Sequence, residues 1–244
     1  MNKFNKNLCH VTFSHSDCSD VWPIYFGQMK KYFNVGLDHY ICTESESITL
    51  PHGKKNLVYS DKDPYPARLL TCLEKLECEF IFFDHEDMFL YSMPDINELC
   101  RYYNLIEKGE FDHIRLIKGG KYKSFSVDGF DSLEGFRINS KWIFSIQPSF
   151  WRVSILKDIL RKNIDCNIWE LEERSQKVVK KMNLKAAFSH KSGKRRGLYH
   201  FDNSVYPYIA TAIVKGKWNL SEYGIELGDI LDFYDVDPTK RGWW

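Results

Sequence analysis

The sequence lacks the features that anchor or export a protein. No apolar run reaches the length of about 20 residues that a helix needs to cross a bilayer. The first segment, MNKFNKNLCHVTFSHS, is too polar for the apolar region of a secretory signal. The seven cysteines form no CxxC pair and no zinc-finger spacing, and their odd number favours reduced thiols. These absences predict a soluble, cytoplasmic protein.

The sequence also lacks an excess of charge of either sign. The chain has 34 basic and 33 acidic residues, so its formal net charge is +1. The whole-molecule field therefore gives no indication of binding to nucleic acid or to an anionic membrane. Repeats and low-complexity linkers are absent as well. A chain of 244 residues with 43% hydrophobic residues is long enough for one large α/β domain or two small ones.

Strand and helix patterns alternate through the first half of the chain. Short apolar runs predict strands at 8–14, 38–43, 56–60 and 78–83, and helical spacing predicts helices at 20–33, 65–76 and 93–109. The second half predicts strands in HIRLIKGG, YKSFSVDGF and KWIFSI, followed by helices at roughly 149–162 and 167–182. We interpret the pattern as a single α/β domain with an irregular C-terminal third.

An acidic cluster directly follows the most apolar of these strands. In IFFDHEDMFL, the carboxylates Asp84, Glu86 and Asp87 follow the apolar run 78–83 directly, with no Lys or Arg among them. Ligands gather outside the carboxyl ends of parallel strands, where carboxylates can hold a hard divalent cation that also binds phosphate. An acidic turn paired with surface lysines explains the same residues. The spacing does not choose among the three acids.

A second group of residues suits a carbohydrate. Gln147-Pro148 breaks a strand, Ser149 is a candidate cap for the next helix, and a further helix opens with IWELEE. Trp169 and Glu172 are three residues apart and share a helix face. An indole can stack on a sugar ring while a carboxylate takes the proton of a hydroxyl. Core packing of Trp169 and favourable acids in a first helical turn are the alternative.

The order of these motifs resembles that of a known enzyme group. The stretch at 65–95, with its arginine-leucine helix, apolar strand and acidic pair before Phe-Leu, is similar to bacterial and viral sugar transferases of the GT-A fold. SIQPSFWR (145–152), IWELE (168–172), AIVKGKW (212–218) and SHSDCSDVWP (14–23) continue the resemblance. It implies a GT-A-like, Rossmann-type α/β domain with a mixed, mostly parallel sheet flanked by helices, and a nucleotide-sugar-dependent glycosyltransferase.

The resemblance also implies a donor side, in about residues 1–115. Glu86 and Asp87 would hold the donor diphosphate through a divalent cation, Mn²⁺ or Mg²⁺, or face the donor sugar. Asp17 and Asp20 would lie in the donor-side loop, and Arg68 would reach the donor. Helix capping by the two aspartates, and a solvated position for Arg68, are the structural alternatives.

The acceptor side would lie in about residues 116–244. Glu172 is the first candidate for the base that deprotonates the acceptor hydroxyl, and Glu170 is the second. Gln147 and Trp169 are assigned to acceptor binding. If either glutamate is a true base, direct displacement inverts the anomeric centre.

One departure from the resemblance concerns the residues before the acidic pair. This chain has Asp84-His85 where the group has apolar residues, so Asp84 with Glu86 is an alternative metal-ligand pair. His85 is then a neighbour of the carboxylates, and His200 in GLYHFD is a further candidate ligand.

Two other functions compete with glycosyl transfer. Asp84, Glu86 and Asp87 suit a metal-dependent nuclease or phosphodiesterase, although no second acidic cluster accompanies them. A carbohydrate-binding domain without activity is the other alternative. The acceptor is open among a glycan, a lipid-linked molecule and nucleic acid, since the basic loop 191–197 suits an anionic partner.

Overall fold

The computed structural model describes residues 4–197 and 199–244, and a nine-stranded sheet forms its centre. The strands of this sheet are β1 (Leu8–Phe13), β2 (His39–Thr43), β3 (Lys54–Val58), β4 (Phe80–His85), β5 (His113–Arg115), β6 (Ser124–Ser126), β7 (Leu133–Phe136), β8 (Ser149–Arg152) and β9 (Ala186–Ser189). Two small hairpins follow, β10 (Ser192–Arg196) with β11 (His200–Asn203) and β12 (Ile213–Val214) with β13 (Lys217–Trp218).

Six α-helices accompany the sheet. They are α1 (Trp22–Tyr32), α2 (Tyr65–Glu74), α3 (Ile96–Glu107), α4 (Val153–Arg161), α5 (Ile168–Lys181) and α6 (Leu220–Phe233). Short 3₁₀ helices at Ser16–Val21 and Pro238–Lys240 complete the regular structure of the described residues. None of the helices in the described ranges is both long and apolar enough to cross a membrane.

The strand order is β3-β2-β1-β4-β8-β5-β9-β7-β6. The pairings β3-β2, β2-β1, β1-β4 and β5-β9 are parallel, and β8 and β7 run opposite to their neighbours. The sheet is therefore mixed and mostly parallel, as predicted. The predicted donor and acceptor halves share it, because β4 from the first half pairs with β8 from the second.

Alternation along β4 explains how the sheet is covered. Phe80 and Phe82 face a core built with α1, α3 and α6, whereas Ile81 and Phe83 face a second core built with α2, α4 and α5. Both faces of β4 are covered, which is why its sequence is a continuous apolar run. The same alternation sends the next residue, Asp84, toward α1.

Local signals account for the ends of several elements. Asp95 caps α3, since its side chain accepts a hydrogen bond from the Glu98 N–H. Asn167 and Glu170 form a capping box at the start of α5. Pro23 lies in the first turn of α1, where no N–H is required.

The predicted elements between 141 and 162 need correction. The segment 141–146 forms no strand, and Trp142 has a backbone φ of 55°, which breaks an extended chain. The predicted helix at 149–162 is instead strand β8 followed by α4. Ser149 therefore caps no helix: it pairs with Phe83 and Arg115 in the sheet, and its hydroxyl donates to the Gln147 carbonyl.

Candidate active site

Asp84 lies beneath α1 and is fully buried. The Thr12 hydroxyl donates to its Oδ1 at 2.7 Å, the Tyr25 hydroxyl lies 2.8 Å from Oδ2, and His10 Nε2 lies 3.1 Å from Oδ2. Both carboxylate oxygens therefore have protein partners, as a buried charge requires. This placement does not fit the prediction of Asp84 as a metal ligand. The hydrogen bonds of Asp84 tie β4 to β1 and α1.

Glu86 and Asp87 form the turn after β4, and Glu86 is only partly satisfied. Glu86 is 8% exposed, and among the described residues its buried Oε2 finds no hydrogen-bond partner. Burial, and then the neighbouring Asp87, raise the pKa of Glu86 to about 8. Burial raises the pKa of Asp87 to about 6, while the charge of Arg241 lowers it. Two adjacent carboxylates that are costly to ionise favour a cation or a hydrogen-bond donor beside them.

The predicted donor-side loop is the 3₁₀ helix at Ser16–Val21, which lies close to this pair. The thiol of Cys18 has its pKa raised to about 12 by burial and by the charge of Glu86, so the two side chains are neighbours. Asp17 is exposed, and its N–H donates to His15 Nδ1. Asp20 accepts from Arg241, with Nε 2.6 Å from Oδ2.

Arg241 is a site residue that the sequence analysis missed. It comes from the C-terminal segment, and its guanidinium pairs with Asp20 while its charge lowers the pKa of Asp87. The segment is held to β13, since the Trp244 N–H donates to the Trp218 carbonyl. Nothing in the local sequence around 241 distinguishes this arginine from a surface residue.

Arg68 is held by the loop that precedes α2. Its Nε donates to the Asp63 carbonyl at 2.6 Å, and its Nη1 lies 2.8 Å from the Asp61 carboxylate. Asp61 also lies 3.3 Å from His15 Nε2, which connects Arg68 to the start of the donor-side loop. The contacts of Arg68 do not extend to Glu86 or Asp87.

Glu172 lies near the start of α5, half-buried, with its Oε1 accepting from the Ile146 N–H at 2.6 Å. Burial raises its pKa, and the charges of Arg115 and His200 lower it. No hydrogen bond from the described residues engages Oε2. A carboxylate with a raised pKa and one free oxygen is equipped to accept a proton.

Glu170 differs from Glu172 in its surroundings. Its Oε2 accepts from the Asn167 N–H at 3.1 Å, and its Oε1 lies 3.3 Å from an Arg174 nitrogen. Both oxygens are therefore engaged at the helix start. Trp169 is 74% exposed, so its indole is not a core side chain, contrary to the packing alternative.

Two tyrosines connect the acidic pair with the acceptor side. The Tyr65 hydroxyl lies 2.9 Å from His85 Nε2, and burial, Cys42, Glu172 and Glu86 all raise the pKa of Tyr65. Glu86 and Glu172 are thus both within electrostatic range of one phenol. The structure brings the end of β4 and the start of α5 to the same edge of the sheet.

Tyr208 makes the second connection. Its hydroxyl donates to Gln147 Oε1 at 2.6 Å, and burial raises its pKa, with a smaller contribution from the charge of Asp87. Gln147 is therefore bonded to a tyrosine that lies within electrostatic range of Asp87, and sequence reasoning did not single out that tyrosine.

Arg115 ends β5 and is a buried cation in this region. Its Nε donates to the Ile117 carbonyl and its Nη1 to the Trp142 carbonyl, each at 3.1 Å. Its Nη2 is buried, with no hydrogen-bond partner in the part of the chain that the structure describes. These contacts hold the loop that supplies the Ile146 N–H to Glu172. An arginine inside the apolar strand HIRLI is a signal that the sequence analysis left unused.

The divalent cation predicted from sequence has only part of its ligand set here. Within 4–197 and 199–244, no three His, Cys, Asp or Glu side chains converge as a metal-binding group. Glu86 and Asp87 nevertheless fit Mn²⁺ or Mg²⁺ bound together with a diphosphate, because such ions take one or two carboxylates and complete their shell with phosphate and water. The partnerless Oε2 of Glu86 supports that fit. His200 instead has its Nδ1 3.1 Å from a Glu222 oxygen.

Comparison with solved structures identifies the fold. Residues covering 80% of this chain superpose on 60% of S. aureus TarS 1-349 with a TM-score of 0.51 and 13% identity. Full-length TarS from S. aureus gives a TM-score of 0.50 at 11% identity, over 94% of this chain and 39% of TarS. The fold is GT-A-like.

These likenesses concern the fold alone. The chain spans 60% of TarS 1-349 and 39% of full-length TarS, which is less than two thirds of each. TarS 1-349 has also been solved with UDP-GlcNAc, and that form superposes on this chain with a TM-score of 0.48. No protein-family model and no curated protein sequence matches this chain.

Proposed function

We propose that this protein is a glycosyltransferase that moves a sugar from a nucleotide-sugar donor to an acceptor hydroxyl. The observation that carries the proposal is the pair Glu86 and Asp87, set at the carboxyl end of a central strand. Their pKa values are raised, and one carboxylate oxygen is buried without a partner. The position supports the proposal, because ligands of open α/β sheets generally bind outside the carboxyl ends of the strands.

The donor diphosphate binds between the acidic pair and the donor-side loop. Glu86 and Asp87 would hold a divalent cation, which supplies positive charge to the two phosphates of the leaving group. Arg241 provides a second positive charge, because it pairs with Asp20 and its charge also acts on Asp87. Asp17 and Arg68 stay in this proposal as outer residues of the same loop region.

Glu172 acts as the general base. As the acceptor oxygen attacks the anomeric carbon, its proton passes to the free Oε2, and the bond from that carbon to the diphosphate oxygen breaks. The nucleoside diphosphate leaves, and the configuration inverts, because one direct displacement has taken place. Burial supports this role by raising the pKa of Glu172, which makes the carboxylate a better proton acceptor.

Two further residues orient the base. The Ile146 N–H fixes Oε1 of Glu172, and Arg115 holds the loop that carries Ile146 through its bond to the Trp142 carbonyl. The positive charge of Arg115 also keeps the pKa of Glu172 from rising further. Glu170 is not carried into this mechanism, because its two oxygens are engaged in the helix cap and with Arg174.

The acceptor side is proposed to bind a sugar. Trp169 presents an exposed indole one helical turn from Glu172, which suits stacking against a sugar ring. Gln147, fixed by Tyr208, offers a polar group on the same side. The acceptor is a glycan or a lipid-linked saccharide in this proposal, and transfer to nucleic acid is tested beside it.

A thermal-shift panel of nucleoside diphosphates, with and without Mn²⁺, tests the proposal. A nucleotide that binds the folded state stabilises it by mass action and so raises the Tm. At a concentration of one hundred times its Kd, the stabilisation is about 2.7 kcal/mol. We expect one nucleotide class to stabilise the protein more in Mn²⁺ than in EDTA. A protein that ignores every nucleotide but binds glycans is a carbohydrate-binding domain. One that cleaves DNA without added nucleotide is a nuclease.

A further inference from the structure

A cavity of about 550 Å³ lies at the opposite edge of the sheet from the acidic pair. It is bounded by the last turn of α1, the loop 33–37 and the segment 51–54. His39 begins β2 and Lys54 begins β3, so the cavity lies at the amino ends of these parallel strands. Its volume is within the range of about 300–1,000 Å³ that is typical of small-molecule sites.

The cavity is lined by two lysines, Lys30 and Lys54, and by no Asp or Glu. The side chain of Lys54 is half-buried and makes no ion pair or hydrogen bond within the described parts of the chain. The next residue, Lys55, shows the contrast, because its Nζ pairs with Asp38 at 2.9 Å. The cavity therefore has an unpaired cation in its wall.

Asp84 acts on Lys54 electrostatically but does not pair with it. Asp84 is close enough that its charge raises the pKa of Lys54, but burial has the larger effect and lowers it. The oxygens of Asp84 accept hydrogen bonds from Thr12 and Tyr25 inside the core, so they do not face a ligand. Lys30 adds a second positive charge. The net charge of the side chains that line the cavity is therefore positive.

Two buried histidines and several apolar side chains form much of the remaining lining. The rings of His10 and His39 are stacked, with 3.7 Å between their centroids. His39 is neutral, because burial, His10 and Lys54 lower its pKa well below the ordinary value, and its Nε2 lies 2.7 Å from the Thr12 hydroxyl. The aliphatic and aromatic side chains of the lining are Phe26, Met29, Phe33, Val35 and Leu37, and Asn34 adds a polar one.

We propose that this cavity is a second ligand site, which binds a small molecule with an apolar ring and an anionic group. The phosphate or carboxylate of the ligand meets Lys54 and Lys30, and its apolar part packs against the partly exposed side chains of Phe26, Val35 and Leu37. The site is separate from the proposed active site, since it lies at the other end of the strands.

Calorimetry with small probes tests this site. The probes are phenyl phosphate, benzoate and inorganic phosphate, with benzyl alcohol as the neutral analogue. We expect phenyl phosphate or benzoate to bind, and the better of the two tells which anion the site takes. Benzyl alcohol should bind at least about ten-fold more weakly, because it lacks the charge-assisted hydrogen bond.

Variants locate the binding. Lys54→Met, and separately Lys30→Met, should weaken binding of the better probe, by about ten-fold for Lys54, whereas Lys62→Met in an exposed turn should bind like the wild type. Lys30 is on the surface of α1, so its variant keeps the test valid if Lys54→Met folds poorly. Failure of both anionic probes to bind, equal binding of benzyl alcohol, or wild-type affinity in both cavity variants would overturn the proposal.

Discussion

Glu86→Gln should stabilise the protein at pH 8 while it impairs transfer. The pKa of Glu86 is about 8 against an ordinary 4.5, and 8 − 4.5 leaves a difference of about 3.5. One pKa unit corresponds to about 1.36 kcal/mol, so ionising Glu86 in the folded protein costs at most about 5 kcal/mol. Asp87 titrates beside Glu86, so the two carboxyls share this cost. We therefore expect Glu86→Gln to raise the free energy of unfolding by about 2 kcal/mol, or the Tm by about 4–8 °C.

The pH dependence gives this prediction its sign. A carboxyl whose folded pKa is raised contributes stability below its unfolded pKa of 4.5, and that contribution is lost as the pH rises toward 8. The difference in Tm between Glu86→Gln and wild type should therefore grow from pH 5 to pH 8. Thermal unfolding in EDTA measures it, and Glu46→Gln, at an exposed position, is the control. A variant that is equally or less stable than wild type at pH 8 would refute the reasoning.

Three further predictions concern transfer. Glu172→Gln should lower transfer by about 10²–10⁴ while donor affinity survives, and Glu170→Gln should keep most activity; inactivity of Glu170→Gln alone would move the base. Arg115→Met should move the acid limb of the transfer pH profile to higher pH, because a positive charge that lowers the pKa of Glu172 is lost; an unmoved limb contradicts this. Arg241→Gln should weaken donor binding in calorimetry by about ten-fold, whereas Lys240→Gln should bind the donor like the wild type. If the two variants bind the donor equally well, Arg241 lies outside the donor site.

The first half of the fold was predictable because local and tertiary signals agree there. The apolar runs of β1, β2 and β4 are covered on both faces, and the helices between them carry clear apolar stripes. The segment 141–162 was not, because apolar residues such as Ile143 and Phe144 are buried without forming a strand. The choice between strand and helix at Phe150 depends on pairing with β4 and β5, which are distant in sequence.

The candidate site was predictable only where its residues are consecutive. The acidic pair could be predicted from the end of one strand. The burial of Asp84 in the core depends on hydrogen bonds with Thr12 and Tyr25, which lie more than 50 residues away. Arg241 joins the site from the other end of the chain. Spacing along the sequence carries no information on such contacts, so only the fold reveals them.

Release of nucleoside diphosphate from a nucleotide-sugar panel is the most direct test of the central claim. Each donor is incubated with the wild type, Glu86→Ala/Asp87→Ala and Glu46→Gln, in Mn²⁺ and with a set of glycan acceptors, and the free diphosphate and the glycosylated product are measured together. The account predicts one donor that yields equal amounts of both with the wild type and with Glu46→Gln, and neither with the double variant. Wild-type product formation by the double variant would contradict it, as would a wild-type enzyme that transfers sugar from no donor.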